Sequence, residues 1–276
     1  LKSLLSFFIN SWVRTTGRKA TIADMPWLFG PMGTEETIGT AFYGAYANKH
    51  GLKLVSREHN GLVKDFKQVI DNPELEIAPA IVDFYEHTAA HKLEVWSQWY
   101  RPVKFFAHTL IKLISPKMEQ FNIPLDPLET SRGMSNEVIS LQENEQQVLA
   151  CWLRKSILTN RVVYSGFYAA IEIEGNPFVR VVFPLPKGNV TVVLRVVALA
   201  DGSVELLSDG KKPGSAGYYR VKSIGPDKVR YKFIPLKERI HVFEDEYGVL
   251  RTDHIFWFLG MKFLHLHYKI TKAHTG

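Results

Sequence analysis

The chain has 276 residues, 46% of them hydrophobic and 22% charged, and carries a net charge of +6. That composition excludes a disordered, collagenous or disulfide-stapled chain and supplies enough apolar side chains for a sizeable core. The basic excess favours anionic partners such as phospholipid surfaces or acidic ligands, and no run approaches the ~18 apolar residues of a spanning helix.

Residues 3–15 place Ser3, Ser6, Asn10 and Arg14 at helical spacing against a wide apolar face of Leu4, Phe8, Trp12 and their neighbours. The pattern predicts an amphipathic helix ending at Gly17, either a core helix or an interfacial anchor. The stretch has one lysine and no Ala-x-Ala cleavage site, so it is not read as a signal peptide. Two prolines and two glycines make Met25–Gly33 irregular, and Thr34-Glu35-Glu36 marks a helix start. Gly30, Gly33 and Gly39 lack the Gly-Lys-Ser/Thr of a phosphate loop. Gly39 and Gly44 suit close helix packing instead.

Pro79 opens the next predicted helix. Asp83, His87 and His91 follow at i, i+4 and i+8 and share a helical face, which supplies half a metal site. His-Thr-Ala-Ala-His lacks the internal glutamate of a zincin, and a polar helix face explains the same residues. Beyond Trp96, Trp99 and Tyr100, Pro102 restarts a helix. There Lys104, His108 and Lys112 oppose Phe105, Phe106, Leu110 and Ile111 until Pro116. Basic amphipathic helices beside tryptophan and tyrosine match an interfacial segment, and packing on a sheet gives the same pattern. A proline-stiffened connector over 120–137 separates two halves.

After Glu137 the period changes from helical to alternating. Strands are predicted at 137–142, 147–156, 161–173, 178–184, 189–199, 203–208, 217–224, 228–234, 238–244, 249–258 and 262–270. Asp201-Gly202, Pro226-Asp227, Asp245–Gly248 and Leu259-Gly260 mark reversals. Cys151 is the single cysteine, which rules out an intrachain disulfide and fits a reducing compartment. It lies in an apolar run and reads as a buried, inert thiol. Arg161, Tyr164, Tyr168, Arg180 and Arg195 alternate with apolar residues, but basic residues do not concentrate there. Nucleic acid is therefore not an expected partner.

In the last three strands, Ile240, Val242, Leu250, Thr252, His254, Phe256, Leu264 and Leu266 share the apolar phase. His254 reads as a hydrogen-bonded core histidine. Arg239, His241, Arg251, Asp253, Trp257, His265 and His267 share the other phase. Hairpins centred on Glu246 and Gly260 would set Arg239 opposite Asp253, His241 opposite Arg251, and Asp253 opposite His267. The row is either a solvated outer face or a cavity wall. In the second reading Asp253 orients His267, while Arg239, His241, Arg251, Trp257 and His265 meet a ligand.

The expectation is an α+β protein. A helical region, 1–136, covers a roughly ten-stranded antiparallel meander over 137–272, barrel-like or sandwich, as one integrated unit. The expected function is binding of a hydrophobic or lipid-like ligand with an anionic head in the barrel cavity, at an anionic membrane surface. The corresponding location is cytoplasmic, peripheral on the inner face of a membrane. The alternatives are an enzyme using His267 and Asp253 as a general acid–base pair, and a metal-dependent enzyme using Asp83, His87 and His91.

Overall fold

The computed structural model describes residues 13–33, 42–100, 134–157 and 162–273, apart from the Tyr164 side chain. The strands are β1 (Arg18–Thr21), β2 (Lys53–Ser56), β3 (His91–Trp99), β4 (Met134–Glu143), β5 (Gln146–Ser156), β6 (Val162–Ile173) and β7 (Asn176–Leu185). They continue as β8 (Gly188–Ala198), β9 (Val204–Leu207), β10 (Gly217–Gly225), β11 (Lys228–Ile234), β12 (Leu236–Glu244), β13 (Leu250–Phe258) and β14 (Met261–Lys272). All fourteen join one sheet, eleven of them in the order β2-β4-β5-β6-β7-β8-β9-β12-β13-β14-β3. β8 forks: its first half pairs with β10 and its second with β9, while β11 and then β1 extend the β10 branch. Two-residue turns with left-handed backbone join β4 to β5 at Asn144–Glu145 and β6 to β7 at Glu174–Gly175. Such turns match the twist of the strands they connect.

This architecture overturns the α+β expectation with a helical N-terminal half. The chain is mostly antiparallel sheet, and the sheet is open, running from β2 at one end to β3 at the other. Before residue 100 the described helices are short: 13–16, α1 (Phe42–His50) and α2 (Pro79–Glu86), with single 3-10 turns between elements. Residues 3–12 of the helix predicted over 3–15, the helix start at Thr34-Glu35-Glu36, the helix predicted from Pro102 to Pro116, residues 120–133 of the connector and Gly39 lie outside the described residues, while residues 134–137 of the connector predicted over 120–137 instead begin β4. The physical reason for the correction is clearest at β3. Leu93 and Val95 point inward while Lys92 and Glu94 point out, a period of two. Nine residue pairs with β14, from His91↔Lys272 to Trp99↔Leu264, satisfy the backbone there. α2 accordingly stops at Glu86. Gly30 and Gly33 lie close against strands, where a Cβ on Gly30 would stand 2.6 Å from Val182 and one on Gly33 2.7 Å from the Leu185 carbonyl, whereas Gly44, expected to allow close helix packing, has open space at its Cβ position.

The inner face of the sheet holds the main core, which draws Leu62, Phe66, Ile81 and Phe84 together with Val138, Val192, Val242 and Leu264. Segments before and after residue 134 thus share one interior. The outer face of β4–β7 is covered by α1, where Phe42 meets Phe167 edge-on at 5.7 Å. The Trp27–Leu28 turn covers β8, β10 and β11, with Trp27 against Tyr219. β5 is therefore buried on both faces, Leu149 and Cys151 outward, Ala150 and Trp152 inward.

Curling brings β3 beside β4. No ladder joins them among the described residues. A side chain spans the gap instead. Asn136 Nδ2 donates to the carbonyls of Thr88 at 2.6 Å and His91 at 2.7 Å, while its Oδ1 accepts from Trp152 Nε1.

Candidate binding cavity

The curled sheet encloses a cavity of about 180 Å³. An apolar cavity of roughly 150 Å³ is enough to take up benzene, so this one has room for a ring or a short alkyl chain. β3 to β10 and β12 to β14 line it, together with Leu62, Phe84 and Tyr85. The lining is overwhelmingly apolar because the inward phase of each strand is apolar.

Few polar groups enter the lining. Arg154, on the inward phase of β5 two residues after Trp152, is 1% exposed. Its guanidinium carbon lies 5.4 Å from the Trp152 ring centre and 5.2 Å from that of Tyr268, an arrangement suited to cation–π attraction. Across the cavity, His254 Nε2 donates to Glu238 Oε2 at 2.6 Å. The Tyr218 phenol also hydrogen-bonds Glu238; burial and then the Glu238 charge push its pKa well above the ordinary value. Sequence reasoning missed Arg154. Its one visible signal is a charged residue in the inward phase of a strand whose neighbours are apolar.

The residues expected to form a ligand site sit elsewhere. Arg239, His241, Arg251, Asp253, Trp257, His265 and His267 lie on the outward face of β12–β14, and none lines the cavity. The β12–β13 hairpin is centred on Tyr247, so Arg239 pairs with Ile255 and His241 with Asp253, not as expected. The β13–β14 hairpin does place Asp253 opposite His267. Asp253 Oδ1 accepts from His265 Nε2 and His267 Nδ1, each at 2.9 Å. Burial pushes the Asp253 carboxyl up, but these two hydrogen bonds outweigh it and hold the group below its ordinary value. Arg239 reaches Glu205 at 3.5 Å, Arg251 reaches Asp245 at 2.8 Å, and His241 meets Ser203 Oγ at 3.0 Å. This is an ion-paired outer surface with two oriented imidazoles.

Asp83, His87 and His91 do converge, though not along one helix. His87 caps α2 and His91 begins β3. Asp83 Oδ1 lies 3.0 Å from His87 Nδ1, and Oδ2 lies 3.5 Å from His91 Nε2 and 3.0 Å from Lys272 Nζ. Lys272 supplies the positive charge that a metal would bring. Among the described residues, no group of three His, Cys, Asp or Glu side chains is arranged to hold a metal. Burial lowers the pKa of His91 despite hydrogen bonding to the His87 carbonyl. Cys151 is fully buried, and burial pushes its thiol up to about 12, so it carries no thiolate chemistry.

The described strands thus form a curled antiparallel sheet around a small, mainly apolar chamber. The chain is similar to one curated protein, "Uncharacterized membrane protein YndJ" of Bacillus subtilis (strain 168), with 24% identity over 221 residues. The alignment covers 77% of this chain, and the chain spans 38% of that protein's length. No family model and no solved structure matches the chain. Among the described residues, no helix is long and apolar enough to cross a membrane.

Proposed function

We propose that this protein binds a small, mainly apolar ligand carrying an anionic group, in the cavity within the curled sheet, and that it works at a membrane surface. Arg154 carries this reading. A guanidinium stacked on two rings is pre-organised for bidentate recognition of a carboxylate or phosphate, and here it stands in a mainly apolar wall. The cavity volume sets the buried portion of the ligand at about one ring or a short chain. The membrane part is supported by the net charge of +6, which suits the anionic inner leaflet, and by the similar protein's being called a membrane protein.

Calorimetric titration with benzoate and hexanoate, set against benzyl alcohol and hexanol, tests the cavity reading. The acids should bind at least about tenfold more tightly than the alcohols, or ~1.4 kcal/mol, and Arg154→Met should abolish that preference in a variant with unchanged circular dichroism. Equal binding of acids and alcohols, or unaltered acid binding by Arg154→Met, would refute it.

A further inference from the structure

We infer that the tip of the β13–β14 hairpin is the element that contacts an anionic lipid surface. This rests on the membrane part of the proposed function and not on the cavity. The tip residues Phe258, Leu259 and Met261 are 42%, 65% and 54% exposed and adjoin one another around Gly260. Isolated exposed apolar residues are ordinary, but a contiguous group on a protruding turn is a contact surface.

The backbone gives a second, independent sign. Leu259 has φ 49° and Gly260 φ 82°, so both central residues of the two-residue turn are left-handed. Turns of this kind select Asn-Gly or Asp-Gly, because a short polar side chain tolerates the conformation and leucine does not. The other non-glycine residues with positive φ among the described residues are Asn144, Glu145, Glu174 and Lys187, all polar. Leu259 thus occupies a position where both solvent and backbone disfavour it. A surface that rewards an apolar side chain explains its presence.

Behind the tip runs a basic and aromatic band. Trp257 is paired across the sheet with Lys237 on one side and Lys262 on the other. Lys262 Nζ lies 4.7 Å from the Tyr100 ring centre, and Lys237 Nζ reaches the Asp209 carbonyl at 3.4 Å. Indole and phenol rings favour the headgroup level, lysines there attract anionic phosphates, and apolar side chains enter the acyl boundary. The hairpin presents the apolar tip first and the rung shared by Trp257, Lys237 and Lys262 behind it. It also begins two residues beyond Phe256, which lines the cavity. Docking through the tip therefore brings that side of the cavity wall toward the lipid.

Co-sedimentation of the full chain with phosphatidylcholine vesicles containing about one-third phosphatidylserine tests this. Wild type should pellet with the vesicles, less so as salt rises. Leu259→Asn suits the turn, so it should keep or raise the thermal midpoint while lowering partitioning at least about tenfold, as expected for withdrawing one leucine from an apolar phase. Lys237→Gln with Lys262→Gln should weaken binding to these vesicles but not to pure phosphatidylcholine. Equal partitioning of wild type and Leu259→Asn would overturn the tip assignment and leave the membrane reading standing. Wild type remaining in the supernatant would overturn both, with the cavity reading untouched. Self-association that is lost in Leu259→Asn, without vesicle binding, would overturn the inference in favour of a second copy as the partner.

Discussion

Removing the imidazole of His254 should cost far more than removing its partner as well. His254 and Glu238 meet at 2.6 Å in the cavity wall, with Glu238 buried and the imidazole nearly so. His254→Phe strips the buried carboxylate of its imidazole donor and leaves it the Tyr218 hydroxyl; removing one partner of a buried pair in this way costs about 3–5 kcal/mol. Glu238→Leu leaves a histidine that can remain neutral, so the cost is a lost hydrogen bond and some misfit, about 1–2 kcal/mol. In the double variant two apolar side chains face each other, which is close to neutral for a buried pair, within about 1–2 kcal/mol of wild type. The cycle should therefore show coupling of roughly 2–6 kcal/mol. Urea unfolding of the four proteins at pH 7 measures it, and with a slope near 3 kcal/mol/M the His254→Phe midpoint should fall by about 1 M or more. Single costs that add to the double within about 0.5 kcal/mol would show that the two groups are not coupled.

Asn136→Ala should destabilise by about 3 kcal/mol, since it removes the donor to two carbonyls and the acceptor for Trp152 Nε1; a loss under about 0.5 kcal/mol in urea unfolding would show the bridge to be incidental. The Asp253 carboxyl is held below its ordinary value, so its stabilising contribution is present above the unfolded pKa of about 3.9 and is lost as pH falls through the folded value. Asp253→Asn should thus flatten the acid limb of a stability–pH curve below about pH 4 without levelling it, because Asp83, Asp201 and Asp245 are also lowered. Superimposable acid limbs would contradict the assignment.

What the sequence reveals is mostly local. Asp201-Gly202 and Asp245–Gly248 announce their reversals through turn chemistry, and the alternation of β12–β14 separates inward from outward side chains correctly. The expected Asp253–His267 pairing is met only because a register shift between Phe256 and Trp257 offsets by one residue the two-residue Leu259–Gly260 turn, which alone would set Asp253 opposite Leu266. The neighbouring hairpin defeats the same reasoning: Asp245 N–H bonds the Val249 carbonyl and Gly248 N–H bonds the Asp245 carbonyl, a longer turn that moves the centre to Tyr247. At 87–99 the spacing of two histidines resembles a helix face, and the alternation of Leu93 and Val95 is too brief to outweigh it by eye. β1 and β2, at four residues each, carry almost no periodic signal. Arg154 is hidden for a different reason. Its significance arises only when β3, β13 and β14, more than a hundred residues apart in the chain for the first and last, curl around it, and no window of sequence contains that event.

The joint between β3 and β4 sets how much the molecule can vary in girth. A sheet zipped shut along a ladder has a fixed circumference, because every rung must break together. Here the two margins are fastened by a pair of hydrogen bonds from Asn136, against the nine residue pairs that hold β3 to β14 on its other side. Undoing the fastening widens the ring while both margins stay anchored to their own neighbours. Amide exchange should then be fastest along the two facing margins.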